Sequence, residues 1–423
     1  MAIRLLPAGM VISGLLLAAC GEGGAAPSAN SAPPSSPAAA ASSAPAGSAA
    51  ASASPPASAT SGSTAASSAP SAKPAASGAS ASGSAAASVA ALGVPAGLAK
   101  ITPLNPKVTL HVAATAGNSA YLPLFYAKDK GYFDQAGLNV DLQLFRGSIT
   151  TLIPRLATGD LDIAPGAPSP ATFNMAPQGF DAKIVAGYDV SRPERPTGGW
   201  LMVITREKDN IKDYKDLKGH PVEGAVMGSP ADLFAREAVK KGGLDPNKDV
   251  TMKYDVKGDP SDLLNIAKAQ AADVVSTFAP LWVPLEQQGY AVRWKASEDA
   301  APWYQAGLLI ASGKSLQQNR PAIAKFLEVF LATAREINKT DGQWTDDLAN
   351  TIVKNGQDCC TVAQVKGSGD VVSYRPDGAI NVDSLNRSED LWVEEGQVKQ
   401  KVDPAKLIDN GPLGDAIKEI GAS

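Results

Sequence analysis

Pro123-Leu124-Phe125-Tyr126-Ala127-Lys128-Asp129-Lys130-Gly131-Tyr132-Phe133, followed by Gly137-Leu138-Asn139-Val140, is the stretch on which the fold turns. Its first part belongs to a helical run over residues 120–130, and its last residues open an alternating strand over 138–145. An apolar strand over 108–113 precedes both. Downstream the rhythm continues: a helix over 150–158, a short strand over 162–165, a helix over 171–178 and a strand over 182–188. Alternation of this kind argues for a parallel sheet covered by crossover helices.

After Trp200–Thr205 the rhythm restarts. Strands are expected over 221–226, 250–256 and 272–278, with helices over 231–241, 261–269 and 280–288. Ser229-Pro230 suits an N-cap followed by a first-turn proline. A further strand over 305–311 leads into a long amphipathic helix over 321–338, and the remainder reads as short helices. The economical parse is two α/β units, the second inserted in the first, with crossings near Thr205 and Trp303.

The chain has 423 residues, with 38 basic and 42 acidic side chains and a net charge of −4. Only Arg4, Glu22 and Lys73 of these precede Lys100, and no Phe, Tyr or Trp precedes Tyr121. About 320 residues therefore carry nearly all the charge and every aromatic, enough for one large or two medium domains. A slightly acidic chain lacks the basic footprint of a nucleic-acid binder. His111 and His220 are the only histidines, and neither sits beside a nucleophile-and-base motif. Three cysteines, two of them adjacent, make neither a disulfide framework nor a four-cysteine zinc site.

At the start, Arg4 precedes an apolar stretch over 5–19 and then Cys20-Gly21. Such a stretch is short for a membrane span and suits a signal-peptide core. Leu17-Ala18-Ala19-Cys20 resembles the bacterial lipobox, which implies removal of residues 1–19 and acylation of Cys20. From there to about residue 99 the chain is almost wholly Ala, Ser, Pro and Gly, with no apolar face to bury. It reads as a disordered tether reaching on the order of 45 Å.

The opening stretch resembles the signature of the nitrate/sulfonate/taurine and thiamine-precursor-binding group of ABC transporter solute-binding proteins. Three further blocks match in order: Leu156-Ala157-Thr158-Gly159-Asp160-Leu161-Asp162-Ile163, Asp216-Leu217-Lys218-Gly219, and Ala272-Asp273-Val274-Val275 with Phe278-Ala279-Pro280. The resemblance implies an α/β, type II periplasmic-binding fold with two lobes joined by a hinge. It places residues 107–204 and 298–423 in one lobe and 205–297 in the other. A monomeric receptor is implied, delivering a small organic or anionic solute (a sulfonate, nitrate, a pyrimidine or similar) to an ABC permease in the cytoplasmic membrane, without a cofactor.

In open α/β sheets, ligands bind outside the carboxyl ends of the strands. Five loops qualify, and their candidate contacts are Gly117, Asn118, Ser119, Ser148, Ala167, Ser169, Met227, Gly228, Ser229 and Phe278. Glycine permits close approach and serine or asparagine adds a hydrogen-bonding group, while unpaired N–H groups at helix starts suit an anionic head. The same residue types also serve as ordinary turns and caps. Arg146 is a candidate anion clamp or a surface residue, and Asp189 a candidate partner for a ligand amine or a turn cap. Trp200, Trp282, Trp303 and Tyr304 gather near the expected hinge, as stacking surfaces or as core. Cys359-Cys360 forms a vicinal disulfide or two packed thiols. An enzyme on the same fold, pyrimidine-synthase-like or dehydratase-like, and a sensor feeding a membrane kinase are the alternatives to a transport receptor.

Overall fold

The structure is a computed structural model that describes residues 92–146, 149–190, 201–205, 209–256, 260–287, 290, 292–296, 303–356 and 360–422. At 149, 190, 201–205, 260–261, 267 and 292–296 only the backbone is described. The expected signal segment, Cys20, the tether up to residue 91, Ser148, Trp200 and Cys359 lie outside the described residues.

Ten strands form two five-stranded sheets. In the first, β1 (Val108–Thr115) pairs in parallel with β2 (Leu138–Phe145) and β3 (Ile163–Gly166), while β10 (Gln305–Ser312) runs antiparallel between β3 and β4 (Ala182–Val190). In the second, β6 (Pro221–Glu223) pairs in parallel with β7 (Thr251–Lys253) and β8 (Val274–Phe278). There β5 (Leu201–Thr205) runs antiparallel between β8 and β9 (Val292–Ala296). The orders, β2-β1-β3-β10-β4 and β7-β6-β8-β5-β9, repeat one connectivity. Each antiparallel strand is the first one laid down after a crossing between sheets. The expectation of a purely parallel sheet is thereby corrected: the returning chain enters each sheet from the opposite end.

The first crossing also falls earlier than expected. β5 belongs to the second sheet, so residues 201–204 leave the lobe to which the sequence assigned them. The tether likewise ends earlier than residue 99. The turn Ala96–Lys100 lies against the long helix, where a Cβ on Gly97 would come 2.9 Å from Ala332 Cβ. Leu92 and Leu98 pack on the core and Ile101 is part of it.

Burial explains the strand pattern. Every residue of β10, Gln-Ala-Gly-Leu-Leu-Ile-Ala-Ser, is buried, as befits a central strand covered on both faces. The helix Arg320–Asn338 is buried over most of its length, and its Phe326 stacks on Phe133 at 5.0 Å. Lys325 and Glu328 are buried on it as an ion pair at 2.7 Å. Among the described residues, no helix is long and apolar enough to cross a membrane.

One C-terminal helix, Val382–Glu394, is held by both sheets' elements. At its start, Gln305 N of β10 donates to Ser384 Oγ at 2.7 Å, and Asn381 N donates to Gln305 Oε1 at 2.9 Å. At its other end, Arg236 of the helix Pro230–Lys241 pairs with the C-cap Glu395 at 2.6 Å, and Lys240 pairs with Glu394 at 2.7 Å.

Candidate functional site

The carboxyl ends of β1, β3 and β4 lie along one edge of the first sheet, and those of β6 and β8 along one edge of the second. Loops from the two edges meet. Ser119 Oγ donates to the Ala279 carbonyl at 3.3 Å, and both groups are buried. A Cβ built on Gly228 would lie 2.9 Å from Pro170 Cδ. The structure thus joins the Gly117–Ser119 loop to the Phe278–Ala279 loop, and the Ala167–Ser169 loop to Gly228.

Local chemistry shapes these loops. Asn118 precedes the short turn Ser119–Tyr121 and its side chain accepts from Ala120 N at 3.0 Å. Ser169 and Ser229 are the N-caps of Pro170–Asn174 and Pro230–Lys241, each accepting from a backbone N–H at 3.3 Å. All three have the capping role that their residue types also predict. Fully buried Asp232 accepts from Gly228 N at 2.8 Å, from Arg236 Nε at 2.9 Å and from the Tyr254 hydroxyl at 2.8 Å, fixing the loop to its helix. Burial raises the Asp232 carboxyl pKa despite the guanidinium beside it. Gly117 and Gly228 adopt φ of 67° and 77°, which side chains rarely accept.

The remaining candidates are dispersed. Asp189, at the end of β4, is buried, and its carbonyl accepts from Gln305 Nε2 at 2.8 Å. Four phenols surround it. Burial, with the negative charge of Asp189 adding to it, pushes Tyr121 up to about 12 and raises Tyr188, Tyr304 and Tyr374 as well. The Tyr374 hydroxyl donates to the Ser119 carbonyl at 2.9 Å, linking this group to the loop junction. Trp282 is fully buried in the core, which removes it as an exposed stacking surface. Trp303 is 49% exposed with φ of 60°, and its carbonyl accepts from Asn381 Nδ2 at 2.9 Å. Met227 is also exposed, Phe278 is half-buried and Arg146 stands exposed beyond β2. Cys360 is disulfide-bonded, with its partner outside the described residues.

Among the described residues, three polar groups of the second sheet, Glu223, Ser276 and Thr277, are buried with a side-chain oxygen that makes no hydrogen bond. Glu223, the last residue of β6, is wholly buried; Oε2 accepts from Asp255 N at 3.3 Å while Oε1 makes no hydrogen bond. Burial lifts its carboxyl from 4.5 to about 7. Thr277 of β8 is equally buried, and its Oγ1 makes no hydrogen bond. Thr277 directly precedes the candidate Phe278, whereas the signal for Glu223 was an acid inside the short apolar run Pro221–Val226. Among the described residues, no group of three or more His, Cys, Asp or Glu is arranged to hold a metal.

The profile of the family described as NMT1/THI5 like matches residues 118–339, just over half of the chain. A Bacillus subtilis (strain 168) protein, YtlA, described as a candidate binding protein, is 26% identical over 181 residues. That match covers 42% of this chain and 51% of the relative, so the chain spans about half the length of the curated protein it matches. Among solved structures, the periplasmic aliphatic sulphonate binding protein SsuA from Escherichia coli superposes with a TM-score of 0.57 at 18% identity, covering 71% of this chain and 92% of that one. The periplasmic nitrate-binding protein NrtA from Synechocystis PCC 6803 gives a TM-score of 0.61 at 13% identity, covering 74% and 89%. At such identities the likeness establishes a shared fold.

Proposed function

The chain belongs to the NMT1/THI5-like family, and on that premise we propose that it is the extracytoplasmic solute-binding component of an ABC importer. It captures a small organic or anionic solute, such as a sulfonate, nitrate or a pyrimidine, between two lobes and presents it to a membrane permease. The observation that carries this reading is the meeting of loops from both sheet edges, with Ser119 Oγ reaching the Ala279 carbonyl. Loops at strand carboxyl ends are where open α/β sheets take ligands, and a site divided between two bodies couples binding to closure.

Binding fits the site better than catalysis. Its loop residues are glycines, capping side chains and neutral phenols, a set able to hold and orient a solute by hydrogen bonds. The named binding functions of SsuA, NrtA and YtlA support the same reading. Acylation of Cys20 would hold the receptor at the membrane surface, and Cys20→Ala should then move it to the soluble fraction; an unchanged membrane fraction rejects the anchor.

A thermal-shift screen with sulfonates, nitrate, pyrimidines and organic cations tests the receptor itself. A ligand at a hundred times its Kd adds about 2.7 kcal/mol to stability, a clear rise in Tm. A chain that no compound of the panel stabilises, and whose radius of gyration none of them changes, would not be a receptor for solutes of these classes.

A further inference from the structure

Of the three buried side-chain oxygens of the second sheet that make no hydrogen bond among the described residues, Glu223 Oε1 and Thr277 Oγ1 lie on one face and Ser276 Oγ on the other. Glu223 is in register with Val275, so Glu223, Val275 and Thr277 share one face, with Thr277 two residues further along the neighbouring strand. From sheet geometry their Cα atoms are roughly 8 Å apart. Glu223 terminates β6 at the edge from which the Gly228 loop departs, and Thr277 immediately precedes the Phe278–Ala279 loop that Ser119 touches. Both are wholly buried, and Glu223 Oε1 and Thr277 Oγ1 make no hydrogen bond, while the backbone N–H groups of Asp255 and Ala225 and the charge of Lys253 offset part of the burial of the Glu223 carboxyl.

Leaving a buried carboxylate oxygen unused costs free energy, since water has been removed and nothing replaces it. A bound water, an ion or a solute supplies the missing donor at such a group. A carboxylate accepts N–H bonds, and a cation beside it also supplies the charge compensation that burial withholds. At pH 8, where Glu223 is ionised, an anionic head group would instead set two negative charges together. Asp189, at the corresponding edge of the first sheet, is a second buried acid, whose charge acts on the phenols of Tyr121, Tyr188, Tyr304 and Tyr374.

We propose that Glu223 and Thr277 form the subsite that receives a cationic, N–H-bearing head group of the solute: an amidinium, guanidinium or alkylammonium. This rests on the solute-receptor reading and sets the chain apart in ligand charge from the sulfonate- and nitrate-binding proteins whose fold it shares. Glu223 accepts from the head group through Oε1, and Thr277 Oγ1 accepts a second N–H. The loops of both lobes close over the rest of the solute.

Calorimetry with two matched pairs tests this on the full chain at pH 8. Guanidinium and nitrate are both planar and trigonal with opposite charge; benzamidinium and benzenesulfonate share a ring and differ in the head. The subsite predicts that a cation of at least one pair binds and its anion does not. Glu223→Gln should weaken that cation at least tenfold and Thr277→Val about threefold, with thermal unfolding of each variant confirming an intact fold. Binding of an anion with equal affinity in wild type and Glu223→Gln overturns the subsite while leaving a solute receptor in place. Cation binding unchanged in Glu223→Gln, or no binding of either cation, overturns it as well.

Discussion

At the residue scale, Glu223 ties the stability of the fold to pH. Its carboxyl rises from 4.5 in the unfolded chain to about 7 in the fold because burial disfavours the ionised form. Between these values the native state binds more protons than the unfolded one, so stability falls as pH rises from about 4.5 to 7 and stays low above. At 1.36 kcal/mol per pKa unit the loss is at most about 3 kcal/mol. Glu223→Gln removes the ionisation, so in the absence of ligand its unfolding free energy should exceed that of wild type at pH 8 and converge with it near pH 4. Denaturant titrations at the two pH values measure this. A difference that does not change with pH would show that Glu223 is hydrated in the native state. At the same scale, Asn118, Ser169 and Ser229 show why loop residues are ambiguous in sequence. The same hydroxyl or amide that faces a cleft first satisfies a backbone N–H at a helix start.

At the scale of elements, strands announced themselves by alternation at a sheet edge, as in β2, or by continuous apolar character where both faces are buried, as in β10. The run 138–145 was legible to its ends, and 305–311 to within one residue of β10. β9 was not legible, because Arg293 and Lys295 interrupt a five-residue run at a sheet edge, where charge guards against further pairing. The direction of β5 and β10 was hidden for another reason. Periodicity reports which faces are buried and is the same for parallel and antiparallel neighbours. The turn Ala96–Lys100 was mistaken for tether because its composition matches the tether, and only Leu92, Leu98 and Ile101 carry the packing. A chain beginning at Leu92 should therefore unfold as the longer chain does, whereas one beginning at Thr102 loses this apolar cover, worth about 3 kcal/mol, and should melt several degrees lower. Equal midpoints for the two would mean that the turn contributes nothing. The tyrosines around Asp189 were out of reach of sequence because Tyr121, Tyr188, Tyr304 and Tyr374 meet only once both crossings and the C-terminal segment are in place.

At the scale of the whole molecule, two lobes of equal connectivity meet where their loops touch, so the balance between open and closed forms depends on few contacts. Gly228 is one. Its φ of 77° disfavours a side chain, and an added Cβ would press on Pro170 Cδ and Cγ at 2.9 and 3.1 Å. Gly179 has nearly the same φ, 75°, with nothing within 4 Å of a Cβ. The two alanine substitutions therefore share a backbone cost of about 1–2 kcal/mol, and only Gly228→Ala adds a collision between loops of different lobes. Both variants should lose similar stability without ligand. Gly228→Ala alone should shift the population toward the open form, seen as a larger radius of gyration in solution scattering. It should also weaken ligand binding about tenfold, since apparent affinity scales with the fraction of molecules able to close. The helix Val382–Glu394 moves as the lobes part or resists them, because it is bonded to β10 at one end and to Arg236 and Lys240 at the other. If Gly179→Ala and Gly228→Ala prove indistinguishable in scattering and in affinity, closure is set elsewhere, and this helix with its Arg236–Glu395 ion pair becomes the element that governs it.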